Sequence, residues 1–367
     1  MGLYDAWLNL RDRCLTSQRF HRFCEGFVLT QPIVRKRQAQ IFDVVSGFVY
    51  SQILLCCVEL NVFDHVGSGR TVEALSEALG IGLDETRRLC EGAAALRLLQ
   101  RRGDMFRLGD LGAALCASPG AIAMIKHHPN FYRDLADPAA FLKRGRSETD
   151  LSRFWDYAAS ASPDNPQAQI YSELMATSQA MIARDIIAAY DFSEHQNVLD
   201  LGGGHGAFVR ALANHYPDLN LAMLDLPAVA TQAKALLADA GLASRVAVHA
   251  GSFFDGGMPA GADLITLVRI IHDHDDAPAQ AILNAAYQAL PHGGRLLVCE
   301  PMLTGASAER ITAAYFNFYL YAMGSGTPRS PHTLEQMLKS AGFASVSRVK
   351  TRFPLNTSIL QADKSRK

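Results

Sequence analysis

The chain predicts an α/β protein: a doubly wound, Rossmann-like sheet of seven strands over residues 193–367, preceded by a helical winged-helix unit. Three observations predict it. Seven strand-like apolar runs follow Asn197, and helical stretches separate the first five, as in a mostly parallel sheet. The first run ends in Asp200-Leu-Gly-Gly-Gly-His-Gly206 and leads into a helix, Gly206 to His215. A length of 367 residues also exceeds the usual single domain, so a second unit is expected.

Residues 1–40 read as a basic arm, with seven basic residues against three acids and Trp7, Phe20, Phe23 and Phe27 interleaved. Such a segment can lie on an anionic membrane surface or pack on a partner subunit. The partner arm is the expectation taken forward, with membrane contact beside it. Residues 41–118 read as short helices followed by a small hairpin, Arg101 to Leu108. Thr71 caps one helix start, with acids in its first turn. The unit is expected to serve homodimerisation. Its second helix mixes Asp84, Glu85 and Glu91 with Arg87, Arg88 and Arg97, which is poor charge for a DNA-recognition helix. Residues 119–192 form a helical connector that contributes to an acceptor pocket, with breaks expected at Pro129, Pro138, Pro163 and Pro166.

The strand-like runs are 197–201, 219–226, 245–250, 262–271, 294–300, 345–352 and 357–362; the last two should pair antiparallel. Glycines let the backbone after the first run turn sharply and approach a ligand closely. The helix behind them offers unpaired N–H groups. Asp225 ends the second run, where a carboxylate can accept the ribose hydroxyls of a nucleoside. Gly202, Gly204 and Ala207 also satisfy a dinucleotide fingerprint, and a turn without ligand is a third reading. Asp200 ahead of the glycines favours a cofactor bearing an ammonium group, as S-adenosylmethionine does, and repels a pyrophosphate. Gly206 and Leu226 complete this set.

The fourth run ends in Arg269-Ile-Ile-His272-Asp273-His274, which places Arg269 and His272 on the ligand-bearing edge. Glu300 ends the neighbouring fifth run, so a carboxylate–imidazole pair with His272 as base is expected. A helix-capping cluster is the plainer alternative. The acids and histidines of this stretch lack the spacing of a zinc or calcium site, so no metal is expected.

Bulk properties narrow the classes. A net charge of −1 argues against a nucleic-acid binder that depends on a strong field. Seven cysteines, an odd number in mostly apolar contexts, suggest a reducing, cytoplasmic setting, with peripheral contact at a membrane through the arm. No apolar run approaches the length of a bilayer span, no signal peptide is visible, and Ala6 does not suit myristoylation.

Asp-x-Gly-x-Gly-x-Gly from Asp200, Asp225-Leu-Pro, Gly251-Ser-Phe-Phe254, His272-Asp273 and Glu300 resemble, in order, the homodimeric plant-type and bacterial O-methyltransferases. The resemblance covers about residues 40–365. It implies S-adenosylmethionine as methyl donor, S-adenosylhomocysteine as product, His272 as general base and no metal. It also places Ser252 and Phe253 at the adenosine. Residues 30–37 and 48–54 look closer to one branch, the hydroxyneurosporene and demethylspheroidene O-methyltransferases of phototrophic bacteria. These act on a carotenoid tertiary hydroxyl. A phenol, quinone or polyketide is the alternative acceptor. His274 stands where the family usually has Trp, Ser252 where Asp is common, and Pro328 where a second Glu often flanks the His. Long apolar side chains for a hydrophobic acceptor are expected from Tyr171, Met175, Met181, Phe316, Phe318, Tyr319 and Met323.

Overall fold

The computed structural model describes residues 2–146, 148–154, 166–304, 311–354 and 356–366, and for residue 3 and residues 166–177 the backbone only. The chain divides into two compact units, Met1–Ala117 and Ser118–Lys367. The first contains α1 (Leu3–Thr16), α2 (Gln18–Gly26), α3 (Gln31–Glu59), α4 (Val62–Val66), β1 (Arg70–Thr71), α5 (Val72–Leu79), α6 (Leu83–Ala95), β2 (Leu99–Arg102), β3 (Met105–Leu108) and α7 (Asp110–Cys116). Thr71 caps α5 by accepting from the Ala74 N–H at 3.4 Å, and Gly80 ends it in the left-handed region. The expected hairpin is β2–β3, and β1 joins it as a three-stranded antiparallel sheet, so the helical unit also carries a small sheet. Cys57, Val62, Val66, Leu75, Cys90 and Phe106 form its interior.

Helix α3 corrects one expectation. By length and composition it is long and apolar enough to cross a membrane, with a mean hydropathy of 1.9 in its most apolar stretch. Asp43, Ser46-Gly47 and Ser51-Gln52 interrupt the apolar residues at short intervals, although the average stays high. Most of its residues up to Val49 are exposed, including Phe42, Val44 and Phe48.

The second unit begins with α8 (Pro119–Asp134), α9 (Pro138–Arg144) and α10 (Pro166–Ala189). Pro138 and Pro166 start helices, whereas Pro129 lies inside α8 and does not end it. Packing of Ile125 and Phe131 outweighs the lost backbone bond there. Pro163 lies outside the described residues. The alternating region follows as β4 (Asn197–Leu201), α11 (Ala207–His215), β5 (Asn220–Asp225), α12 (Pro227–Asp239), β6 (Val246–Ala250), β7 (Leu264–Val268), α13 (Asp276–Ala289) and β8 (Arg295–Glu300). A π turn at Thr312–Phe316 runs into α14 (Asn317–Met323), then α15 (Pro331–Ala341), β9 (Ser345–Val349) and β10 (Ser358–Asp363).

The seven strands order as β6-β5-β4-β7-β8-β10-β9, parallel except that β10 runs antiparallel to both neighbours. Strand β7 is buried throughout, as a parallel strand covered on both faces must be. Alternate residues serve opposite faces: Val198 joins a core with Phe192, Phe208 and Met223, while Leu199 and Leu201 join Ile282 and Leu334. Chain order reverses between β4 and β7, so their C-terminal ends open the crevice where such sheets bind ligands.

Candidate active site

A cavity of about 410 Å³ occupies that crevice. Asp200, Gly202, Gly204, Asp225, Arg269, His272, Phe316, Tyr319 and Met323 all line it, together with Met124, Gln179, His205, Gln232, Asp273 and Tyr315. It therefore joins the glycine turn to the histidine and to the aromatic helix in a single space.

At the donor end, Gly202, Gly204 and Gly206 all have left-handed φ, of 69°, 55° and 77°. A Cβ on Gly202 would stand 2.4 Å from Ile270 Cδ1, so only glycine turns here without displacing that neighbour. The turn is pinned by Asp225, whose carboxylate accepts from the Gly204 and Leu226 N–H groups at 2.7 Å each. Asp200 is 1% exposed; its Oδ1 accepts from the Thr266 hydroxyl at 2.6 Å, and Oδ2 is buried without a partner. Burial pushes its carboxyl up to about 7, with Asp225 adding to the rise and the Thr266 bond opposing it. An unpartnered carboxylate oxygen beside the cavity fits a cationic ligand group. Arg269 also has left-handed φ, 58°, which a non-glycine residue adopts under strain. Its guanidinium lies over the Phe316 ring at 5.6 Å, and its buried Nε has no partner.

Several expected residues stand back from the cavity wall. Phe253 packs over Gly202, Ser252 accepts from the Phe254 N–H at 3.2 Å, and Leu226 is half exposed. Gly206 begins α11 behind the turn. Met181 and Phe318 are also set back, and the side chains of Tyr171 and Met175 lie outside the described residues.

His272 sits in a short 3-10 turn, Ile271–Asp273, and is 4% exposed. The expected ring contact with Glu300 is corrected here. Glu300 Oε2 accepts from the His272 backbone N–H at 3.0 Å, so the carboxylate anchors the turn and not the imidazole. The carboxylate at the ring belongs to Asp273, whose Oδ1 lies 3.3 Å from Nε2, while Nδ1 has no hydrogen-bond partner. Burial, then Arg269, Arg329 and His274, holds His272 well below the ordinary imidazole range, so the ring is neutral and able to take a proton. Burial likewise raises Asp273 to about 7 and Glu300 to about 8.

Sequence reasoning offered a helix-capping cluster here, but Asp275 stands at the N-cap position of α13 and Asp273 remains in the turn. It also missed Arg329. This buried side chain donates to the carbonyls of Ile271 (2.9 Å) and His274 (2.8 Å) and to Asp276 (2.8 Å). Thr327 N–H donates to the His272 carbonyl at 2.9 Å, and a Cβ on Gly326 would meet that oxygen at 2.2 Å. The segment that departs from the family pattern at Pro328 thus braces the histidine turn. Its chain distance from His272 left no readable signal.

The acceptor end is aromatic. The π turn carries Tyr315 and Phe316, and wide turns of this kind recur at functional sites. The Phe316 ring lies 6.4 Å from that of His272. Tyr315 and Tyr319 stack at 5.6 Å and are hydrogen-bonded to His128 and His127 at 2.9 Å and 3.0 Å. Burial lowers His127 to about 4, so these partners are neutral. Among the described residues no three His, Cys, Asp or Glu side chains cluster to hold a metal ion.

The O-methyltransferase domain family matches residues 132–344, and its dimerisation domain matches residues 42–118. The chain belongs to the O-methyltransferase family and is an enzyme of that class. Among individual relatives, demethylspheroidene O-methyltransferase of Rhodobacter capsulatus is 42% identical over 97% of this chain and 90% of its own. The protein of the same name from Cereibacter sphaeroides is 43% identical over 91% and 89%. A solved methyltransferase of calicheamicin biosynthesis, in its SAH-bound form, aligns with a TM-score of 0.75 at 25% identity, covering 90% of this chain and 98% of that one. The match to a dimerisation domain supports assembly as a homodimer.

Proposed function

We propose that this enzyme transfers a methyl group from S-adenosylmethionine to the tertiary 1-hydroxyl of an acyclic carotenoid. The observation that carries the reading is near-full-length identity of 42–43% to two relatives named for that chemistry. The largely apolar, aromatic acceptor end suits a polyene, whose binding energy comes mostly from apolar contact. Dimerisation is assigned to residues 41–118, and peripheral contact with the bilayer that holds the acceptor to residues 1–40.

The donor end fits the cofactor. Asp200 holds its ammonium group, the Gly202–Gly206 turn admits its backbone-facing atoms, Asp225 accepts its ribose hydroxyls, and Arg269 meets its carboxylate. Leu226, Ser252 and Phe253 support the adenosine side. When bound, S-adenosylmethionine supplies an electrophilic methyl on a sulfonium sulfur. Holding the acceptor oxygen in line with that methyl can contribute up to about 7–11 kcal/mol. Phe316, Tyr319 and Met323 orient the acceptor.

An aliphatic tertiary alcohol is too weak an acid for His272 to ionise beforehand. Its proton becomes strongly acidic only as the new O–C bond forms. His272 then collects it on its neutral ring, and the Asp273 carboxyl, 3.3 Å from Nε2, can offset the charge that forms there. Glu300 and Arg329 hold the turn that presents the ring. Incubating the enzyme with methyl-labelled cofactor and a pigment extract, followed by mass analysis, tests the assignment. Label in a carotenoid methoxy group is expected; label confined to other acceptors would refute the acceptor.

A further inference from the structure

Helices α1 and α2 leave a large apolar surface uncovered. Phe20, Phe23 and Phe27, the last just past the end of α2, recur at helical spacing and are 39%, 63% and 44% exposed; the same spacing puts Arg19 at the edge of this stripe and Arg22 away from it. On α1, Tyr4 and Trp7 are 70% and 56% exposed, their rings stack at 6.2 Å, and the Arg11 guanidinium lies over Trp7 at 5.6 Å. A monomer rarely leaves such a surface in water.

We propose that residues 4–37 are a docking face for an anionic lipid bilayer, with the aromatic rings at the headgroup–acyl boundary and the arginines on the lipid charges. Charge selects this occupant. Seven basic against three acidic residues give the arm +4 in a chain whose total is −1. A symmetric contact between two arms would set +4 against +4, whereas an anionic surface attracts each basic side chain. The pattern of amphipathic helix, interfacial Trp and Tyr, and basic flank is that of a surface-lying anchor.

The arm also lies ahead of the matched dimerisation domain, which starts at residue 42. The exposed apolar stretch of α3 from Ile41 to Val49 falls almost wholly within that match and is the natural place for a second copy. The purpose of docking, access to a membrane-dissolved polyene, rests on the proposed acceptor; the charge and aromatic pattern do not.

The test uses the full chain. Flotation with phosphatidylcholine vesicles containing phosphatidylglycerol should carry the wild type upward, and phosphatidylcholine alone should not. Arg19→Glu/Arg22→Glu and Phe20→Ser/Phe23→Ser should each lower the bound fraction at least about tenfold. Both variants should remain dimers by light scattering and methylate detergent-dispersed acceptor at the wild-type rate. Equal binding to both vesicle types, no binding, or variants that fall to monomers would overturn the proposal, the last by showing that the arm covers a partner subunit. Retained vesicle binding without carotenoid methylation in any format would instead remove the acceptor and leave the docking face standing.

Discussion

His272 is buried, neutral and set on the edge of a sheet where two further strand ends converge. Replacing it with alanine removes the proton acceptor and leaves the donor end untouched. His272→Ala should lower turnover at least about 100-fold with S-adenosylhomocysteine affinity unchanged by calorimetry. Near-normal turnover would exclude its role. Asp200 makes a separate prediction at the same scale. Its carboxyl, raised to about 7, must be ionised to hold an ammonium group, so acid weakens cofactor binding. Lowering the pH from 7.5 to 6 should weaken S-adenosylhomocysteine binding by roughly tenfold, and Asp200→Asn should bind weakly with that dependence gone. Asp200 was legible because it lies at the end of β4, and His272 because it follows the end of β7 by four residues. Asp273 was not, since a neighbour in sequence has no periodicity that aims it back at the ring.

At the scale of elements, two short segments carry the site. The β4–α11 turn depends on glycine at 202 for both φ and space. Gly202→Ala should therefore destabilise the fold by about 1–3 kcal/mol and abolish measurable cofactor binding, read by thermal shift with and without S-adenosylhomocysteine. The second is the segment from Gly326 to Arg329, which holds the histidine turn through one guanidinium and one backbone N–H. Arg329→Met leaves the His274 carbonyl without its donor and the Ile271 carbonyl with only the His274 N–H at 3.3 Å. A loss of about 2–4 kcal/mol and a fall in kcat larger than any change in cofactor affinity are expected. Alternation of strands and helices exposed β4 to β8 to sequence reading, and the antiparallel β9–β10 pair followed from its short connection. The brace at Arg329, the histidine–tyrosine pairs that join α8 to the π turn and α14, and Pro129 within α8 were not legible. Each depends on contacts between segments distant in the chain, where packing overrides local signals. The full length of helix α3 was not read either, because its first ten residues are mostly polar and were assigned to the basic arm.

For the whole molecule, one cavity connects an acid-edged glycine turn, a neutral histidine and an aromatic acceptor end. That arrangement explains why the chain needs long helices ahead of its sheet. Helices α8 and α9 pack Phe131 and Phe141 against Tyr319 and Ala322, and so hold the acceptor wall opposite the donor turn. The most direct test gives the purified enzyme methyl-labelled S-adenosylmethionine with an acyclic carotenoid bearing a free tertiary 1-hydroxyl, and in parallel the same carotenoid with that hydroxyl blocked. Label should enter the free-hydroxyl substrate alone, as a methoxy group at that carbon, and the His272→Ala enzyme should transfer at least about 100-fold less. An unlabelled carotenoid, with label passing to a phenolic acceptor instead, would contradict the account.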